Sequence, residues 1–369
     1  MKVPLLDVRR QNEPLAGELC EAFARVLHSG QYILGKQVED FEHAVAAVAG
    51  TRHAIAVSSG TDAILLALMA LDIGPGDEVI CPSFTFFATG GCIARVGARP
   101  VFADSCPVCF NLDPESFARA ITPRTKAVIP VHLFGQMAHM DEVLAIAGRH
   151  GLDVIEDAAQ SLGAAYQGRP AGSLGAFGAF SFYPTKNLGA LGDAGMLVTS
   201  DDALAARARL LRVHGAEAQY FHKMVGANFR MDALQAALLA VKLPHLADYT
   251  AARAAHAAAY TAALQGVRLP ATHAGHTHIW NQYTVCTPQR DALKSWLAAR
   301  GIGAAIYYPL PLHLQECFAR SGPHAPLPVC ERLAAQCLSL PVYAELTAAE
   351  RECVIAAIGE FVQRQSGCQ

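Results

Sequence analysis

Long uncharged runs are missing from this 369-residue chain, and none approaches the roughly 20 apolar residues that a membrane span needs. The opening "MKVPLLDVRR" is broken by charges, so the apolar core of a signal peptide is missing as well. Charge itself is sparse: 17% of residues are Asp, Glu, Lys or Arg, the net charge is −3, and neither sign forms a run. That leaves no electrostatic footprint for nucleic acid or for an acidic membrane surface. These absences predict a soluble, cytoplasmic protein. Internal repeats and low-complexity linkers are also lacking, which excludes a repeat array or domains strung on tethers. The eleven cysteines are an odd number scattered through apolar segments such as "EVICPSF", the pattern of buried reduced thiols. A single C-x-x-C occurs, Cys106 and Cys109 in "DSCPVCFNLDP". It could be a redox pair, but the second pair that a structural zinc site takes is missing, and a loop coincidence is the better reading.

What is present is ample apolar material, 52% of residues, enough for a large core. Between residues 50 and 200, short β-like runs alternate with helical patterns. The strand candidates are "HAIAVSS", "DEVICPSF", "RPVFAD", "TKAVIPVHL", "DVIEDA", "FGAFSFY" and "AGMLVTS". Several are nearly continuous in Val, Ile, Ala and Phe, as strands covered on both faces are. Helices are predicted over "TDAILLALMALDIG" and over "MDEVLAIAGRHG", the latter stopped by Gly151 after a basic last turn. This alternation implies an α/β domain with a mostly parallel sheet. Beyond about residue 245 the Ala-rich "LADYTAARAAHAAAYTAALQG" bridges into a second unit with strand-like "IWNQYTVCT", a helix "QRDALKSWLAARGI" and a final amphipathic segment from Thr347 to Val362. The expected division is a large α/β domain, residues 1–245, and a smaller α+β domain, residues 246–369.

In open parallel sheets, ligands bind beyond the carboxyl ends of the strands, so the residues after each strand matter most. Three such places carry chemistry. "AIAVSSGTDAILL" runs a strand through Ser-Ser-Gly-Thr into an apolar helix, where free N–H groups and hydroxyls form an anion cradle. Ser59 or Thr61 acting only as a helix cap is an equally good reading. Asp157 ends the apolar strand of "LDVIEDAAQS", where a carboxylate needs a partner. It could cap the next helix, pair with an arginine or face a protonated ring nitrogen, and Gln160 one turn later could share the same ligand. Lys186 lies in "FSFYPTKNLGALGDAG", between an aromatic run and a glycine-rich turn. Desolvation there would free its amine as a nucleophile, whereas a lysine with a buried stem and a wet head is the plainer alternative. Together, an anion cradle, an acid for a pyridinium nitrogen and a reactive lysine are the parts of a pyridoxal phosphate (PLP) site.

With these parts in place, the chain resembles the DegT/StrS family of PLP-dependent nucleotide-sugar aminotransferases, of fold type I. The resemblance covers nearly the whole sequence, through "SGQYILGKQVEDFE", "SSGTDAI", "GPGDEVICPSFTFFAT", "PVHLFGQ", "VIEDAAQSLGA", "FSFYPTKNLGALGDAG", "GANFRMDALQAA" and "YYPLPLHLQ". It implies a large domain with a seven-stranded sheet between helices. It further implies that Lys186 bonds the cofactor, Asp157 pairs with the ring nitrogen, Gln160 meets the ring hydroxyl and Phe86 stacks on the ring. Gly60, Thr61 and Ser181 are expected at the phosphate. Asn228 and Arg230 match residues that enter the site from a neighbouring subunit, which implies a homodimer with shared active sites.

Tyr32, Tyr308 and His313, with Arg230, match positions near the sugar. The resemblance implies transfer of an amino group from L-glutamate, through pyridoxamine phosphate, to a keto sugar on a nucleotide, with the 3-keto position favoured over the 4-keto. A cyclitol ketone is the alternative substrate, and a non-catalytic regulatory protein the alternative class. Family members that act as dehydratases carry histidine in place of the lysine, so Lys186 itself favours transamination. The cluster His273, His276 and His278 in "THAGHTHIW" is expected to be a solvated rim, with no metal assigned. The "SCPVC" stretch departs from the acidic, proline-containing turn usual before "FNLDP" in the family.

Overall fold

The computed structural model describes residues 1–321 and 324–366. All seven strand candidates become strands: β1 (His53–Val57), β2 (Glu78–Pro82), β3 (Arg99–Ala103), β4 (Thr125–Val128), β5 (Asp153–Asp157), β6 (Phe177–Ser181) and β7 (Gly195–Thr199). They form one sheet in the order β1-β7-β6-β5-β4-β2-β3. The five strands from β6 to β3 run parallel, while β7 pairs antiparallel with both β6 and β1. Strand polarity cannot be read from apolar runs alone, and the hairpin from β6 back into β7 is what reverses it. That hairpin contains Lys186. The fold is therefore the α/β arrangement of the fold-type I enzymes, a mostly parallel seven-stranded sheet between helices.

Both faces of the sheet are covered. One face packs α1 (Gly60–Ala70) and α2 (Phe87–Arg95) in a cluster with Ile55, Val79, Ile129, Ile155 and Phe177. The other gathers Ile80, Val128, Val154, Phe180 and Phe182 with α3 (Met140–His150) and the helix Lys36–Ala49. Double coverage explains the near-continuous apolar strands, since neither set of alternating side chains meets water. α3 ends as predicted, with Gly151 in the left-handed region at φ 64°.

A third cluster joins α4 (Leu246–Ala263), the helix Arg290–Ala299, the antiparallel pair β8 (Tyr283–Cys286) and β9 (Cys337–Leu340), and α5 (Ala348–Ser366). β9, "CLSL", is too short to give a period, which is why the sequence shows β8 without its partner. Val3 from the N-terminus belongs to this cluster, through backbone bonds between Val3 and residues 301 and 303. Arg10 reaches the same unit with a two-pronged ion pair to Glu350 at 2.8 and 2.9 Å. No described helix is long and apolar enough to cross a membrane.

Candidate active site

The carboxyl ends of β1, β5 and β6 converge. After β1, Ser59 caps α1: its hydroxyl oxygen accepts the Asp62 N–H at 3.1 Å. The cap therefore falls to Ser59 rather than Thr61. The N–H groups of Gly60 and Thr61 and the Thr61 hydroxyl make no hydrogen bond among the described residues, so an anion can take them. The Asp62 carboxylate, at the rim, accepts from the Ser58 and Ser59 hydroxyls at 2.6 and 3.0 Å. Gly60 is obligatory for the approach of this turn to β6, because a Cβ there would sit 2.7 Å from Cβ of Ser181.

β5 ends in two carboxylates that the two-residue period sends to opposite faces. Glu156 is fully buried and accepts the N–H groups of Gly172, Leu174 and Gly175. It also faces Nε2 of His132 at 2.8 Å. His132 Nδ1 accepts the Ala138 N–H, which leaves Nε2 as the protonated, donating nitrogen. Asp157 lies on the other face, 5% exposed. It accepts from the Thr89 hydroxyl at 2.7 Å and from the Ala159 N–H at 3.3 Å. Burial pushes its carboxyl above the usual range, against the pull of Thr89, Ala159 and the Lys186 charge. Among the described residues it neither caps a helix nor pairs with an arginine, and the Lys186 charge lies nearby.

Lys186 sits at the head of the β6–β7 hairpin. Phe180 and Phe182 are fully buried on one face of that strand, with Phe182 edge-on to Phe41 at 5.4 Å, and Ser181 between them points to the other. The Lys186 N–H closes a turn on the Tyr183 carbonyl at 2.8 Å. Gly189 then packs over Pro184, where a Cβ would lie 2.3 Å from the Pro184 carbonyl oxygen. Asn187 ties the hairpin to the Ile279 carbonyl, and Asn281 donates to Asn187 Oδ1. Lys242, 1% exposed, donates to the Gly189 carbonyl at 2.6 Å. The result is a rigid turn that holds the Lys186 amine in protein surroundings, where burial pushes its pKa down to about 8 with Asp157 opposing. The adjoining cleft is lined by Gln11, Arg253, Asp7 and Glu345.

Gln160 accepts the Phe134 N–H at 2.7 Å and donates to the Tyr308 hydroxyl at 3.2 Å. Tyr308 in turn lies 6.2 Å from the ring of Phe86, which is left 57% exposed at the start of α2. An aromatic exposed at a strand end and flanked by fixed polar groups is a ready stacking surface. Lys186, Asp157, Gly60, Thr61, Ser181, Gln160, Tyr308 and Phe86 are thus gathered around one set of strand ends.

Other predicted residues stand apart. Arg230 pairs with Val57 in a backbone bridge, and Phe229 accepts the Ser58 N–H, so "GANFRMD" flanks the cradle from its own chain. Arg230 Nε is buried without a partner, and Asn228 is exposed. Tyr32 is exposed, its hydroxyl donating to the Leu27 carbonyl. His313 is buried, with Nδ1 2.7 Å from the Ser83 hydroxyl and Nε2 3.3 Å from Glu331, so both ring nitrogens are occupied inside the chain. The expected solvated rim fails at His278, which is buried and stacked on Trp280 at 3.8 Å, where burial lowers its pKa to about 3, while His273 and His276 are half-buried. Thr89, His132 and Asn281 were missed. Each is an ordinary core-segment residue whose importance lies in a partner 24 to 94 positions away.

The donor set fits a phosphorylated pyridine: open N–H groups at a helix start, a buried carboxylate, a desolvated amine and an exposed aromatic face. The comparisons agree. The sequence matches the DegT/DnrJ/EryC1/StrS aminotransferase family over residues 15–359. A pleiotropic regulatory protein of Geobacillus stearothermophilus is 48% identical, covering 98% of this chain and 99% of its own. The UDP-N-acetyl-3-dehydro-alpha-D-glucosamine 3-aminotransferase of Acidithiobacillus ferrooxidans is 45% identical over 98% and 97%. Among solved structures, S. venezuelae DesV in complex with a ketimine intermediate superposes with a TM-score of 0.95 at 45% identity, covering 98% of each chain. The chain belongs to the DegT/DnrJ/EryC1/StrS family and is a PLP-dependent aminotransferase.

Proposed function

We propose that this enzyme moves an amino group from L-glutamate to a keto sugar carried on a nucleotide, at the 3-position of the sugar. The observation that carries this reading is Lys186, a desolvated amine beside a buried carboxylate at the end of the sheet. The 3-position is supported by relatives at 40% identity or more whose names specify a 3-amino or 3-oxo sugar, on UDP or on dTDP, from Acidithiobacillus ferrooxidans, Streptomyces venezuelae, Pseudomonas aeruginosa and Aneurinibacillus thermoaerophilus.

When bound, PLP supplies a carbonyl that accepts the amino group and a ring that takes up the electron pair released at the substrate carbon. The chain's own groups do the rest. With a pKa near 8, about a tenth of Lys186 is neutral at pH 7. Its Nζ is thereby able both to attack a carbonyl and later to carry a proton. Asp157 holds a proton on the ring nitrogen, and Thr89 keeps the carboxylate anionic for that task. Gly60, Thr61 and Ser181 hold the phosphate. Gln160, fixed by Phe134 and Tyr308, meets the ring hydroxyl, and Phe86 covers the ring.

Asn228 and Arg230, whose segment flanks the cradle of their own chain, also reach the site of a second copy in a homodimer, and Tyr32 serves the sugar. The exposed apolar side chains Tyr220, Phe221 and Val225, 74–91% accessible, lie just before Asn228 and support burial there in an assembly. Intact Lys186 and Asp157 speak against a purely regulatory protein. Incubation with 3-keto and 4-keto nucleotide sugars plus L-glutamate, followed by mass and NMR analysis of the product, tests the reading. A 3-amino product supports it; amination of only the 4-keto sugars or of a cyclitol ketone overturns it.

A further inference from the structure

The C-x-x-C pair is not alone in space. Cys106 and Cys109 occupy the turn after β3, where the Phe110 N–H bonds to the Cys106 carbonyl and the Cys106 N–H to that of Asn111. His139 stands at the N-cap position of α3 without a side-chain capping bond, and His273 comes from the segment between α4 and β8. One ligand atom from each of the four lies within 4.8 Å of all the others. The histidine rings are edge to face at 4.6 Å. His273 Nε2 is buried with no hydrogen-bond partner, and neither cysteine is in a disulfide. Two sulfurs and two imidazoles are the donor set for tetrahedral zinc.

The backbone around the four is held by other contacts. Asn111 donates to the Gln136 and Met137 carbonyls at 2.9 and 3.0 Å. Gln136 accepts the His273 N–H and donates to the Ala271 carbonyl. Arg268 reaches the Pro107 carbonyl, inside the C-x-x-C turn, and lies over the Phe110 ring. Three separate chain segments are therefore locked around the cluster before any ion arrives. Zinc with bonds of about 2.0–2.3 Å needs ligand atoms about 3.3–3.8 Å apart. The longest present separation therefore has to shrink by about 1 Å, within reach of side-chain rotation.

We propose that Cys106, Cys109, His139 and His273 form a zinc site that staples the turn after β3 and the start of α3 to the segment leading into β8. All four positions are filled by protein, so the site is structural rather than catalytic. The sequence conceals it because the histidines lie 30 and 164 residues beyond Cys109 and share no motif with the cysteines. The staple closes beside the turn whose Phe134 N–H fixes Gln160. It does not depend on which amino acceptor the enzyme uses.

The test is metal analysis of the full-length holoenzyme purified under reducing conditions and washed with a mild chelator. The expected result is one zinc per chain, lost in Cys106→Ser and in His273→Ala but retained in His276→Ala. Cobalt(II) added to metal-stripped protein should give the intense red-end visible bands of a tetrahedral S2N2 site, clear of cofactor absorption. Wild-type protein alone gives a second readout should the variants fail to fold: alkylation of Cys106 and Cys109 slowed by zinc and restored by a strong chelator. Wild-type protein that takes up neither zinc nor cobalt, or that yields only a Cys106–Cys109 disulfide, overturns the proposal. So does undiminished zinc in both ligand variants.

Discussion

Lys186→Met, studied in protein freed of cofactor, tests whether the lysine is desolvated for function at the expense of the fold. Methionine keeps the apolar stem and deletes the charge. Burial lowers the lysine pKa from 10.5 to about 8, and each unit corresponds to about 1.4 kcal/mol, so the charged lysine destabilises the empty site by about 3 kcal/mol. The pH dependence has a definite sign. Between pH 8 and 10.5 the unfolded chain binds the lysine proton and the folded chain does not, so wild-type stability rises with pH across that window. The variant lacks this dependence. Urea unfolding at fixed protein concentration should show Lys186→Met more stable by up to about 3 kcal/mol at pH 7, an advantage that shrinks steadily from pH 8 to 10. An advantage that is absent, or that does not change with pH, would refute the claim that desolvation tunes this amine.

Thr89→Val removes the hydroxyl that donates to Asp157. A hydrogen bond to a charged group is worth about 1.5–3 kcal/mol, so kcat/KM should fall about ten- to a hundredfold. The acid limb of the pH–rate profile should move upward, and Thr89→Ser should restore it; an unmoved limb contradicts the role. Gly60→Ala forces a Cβ to 2.7 Å from that of Ser181. It should weaken PLP binding, measured by equilibrium titration, by about 1–3 kcal/mol, while circular dichroism stays native. The Arg10–Glu350 pair holds the N-terminal segment to α5, and Arg10 keeps the Glu350 carboxyl down at about 2. That stability is present above pH 4.5 and lost as pH falls toward 2. Discounted for the one-third-exposed arginine, it amounts to about 1–2 kcal/mol. Arg10→Met should flatten this acid-side loss in denaturation curves, and an unchanged acid slope would count against the pair.

The seven sheet strands were legible because each is an apolar run bounded by turn residues, a signal carried within a few positions. Polarity was not: β7 reads like its neighbours and runs the other way because a hairpin, not a crossover helix, precedes it. Lys186, Asp157 and the Ser-Ser-Gly-Thr turn were legible because each follows a strand. Their supports were hidden, since Thr89 lies 68 residues from Asp157 and Lys242 lies 53 from Gly189. The grouping of His139 with the C-x-x-C turn was equally invisible, because only the packing of α3 against the turn after β3 brings them together.

In the proposed function, Lys186, set against Asp157, makes this chain an amino-group carrier. One single-turnover titration tests it directly. Purified protein loaded with PLP should show the visible band of lysine-bound cofactor, which L-glutamate bleaches and a 3-keto nucleotide sugar then restores, with the amino group recovered on the sugar. In Lys186→Ala the lysine-bound band should be absent from the start. A band that survives glutamate and every other amino donor, or that forms unchanged without Lys186, would contradict the account.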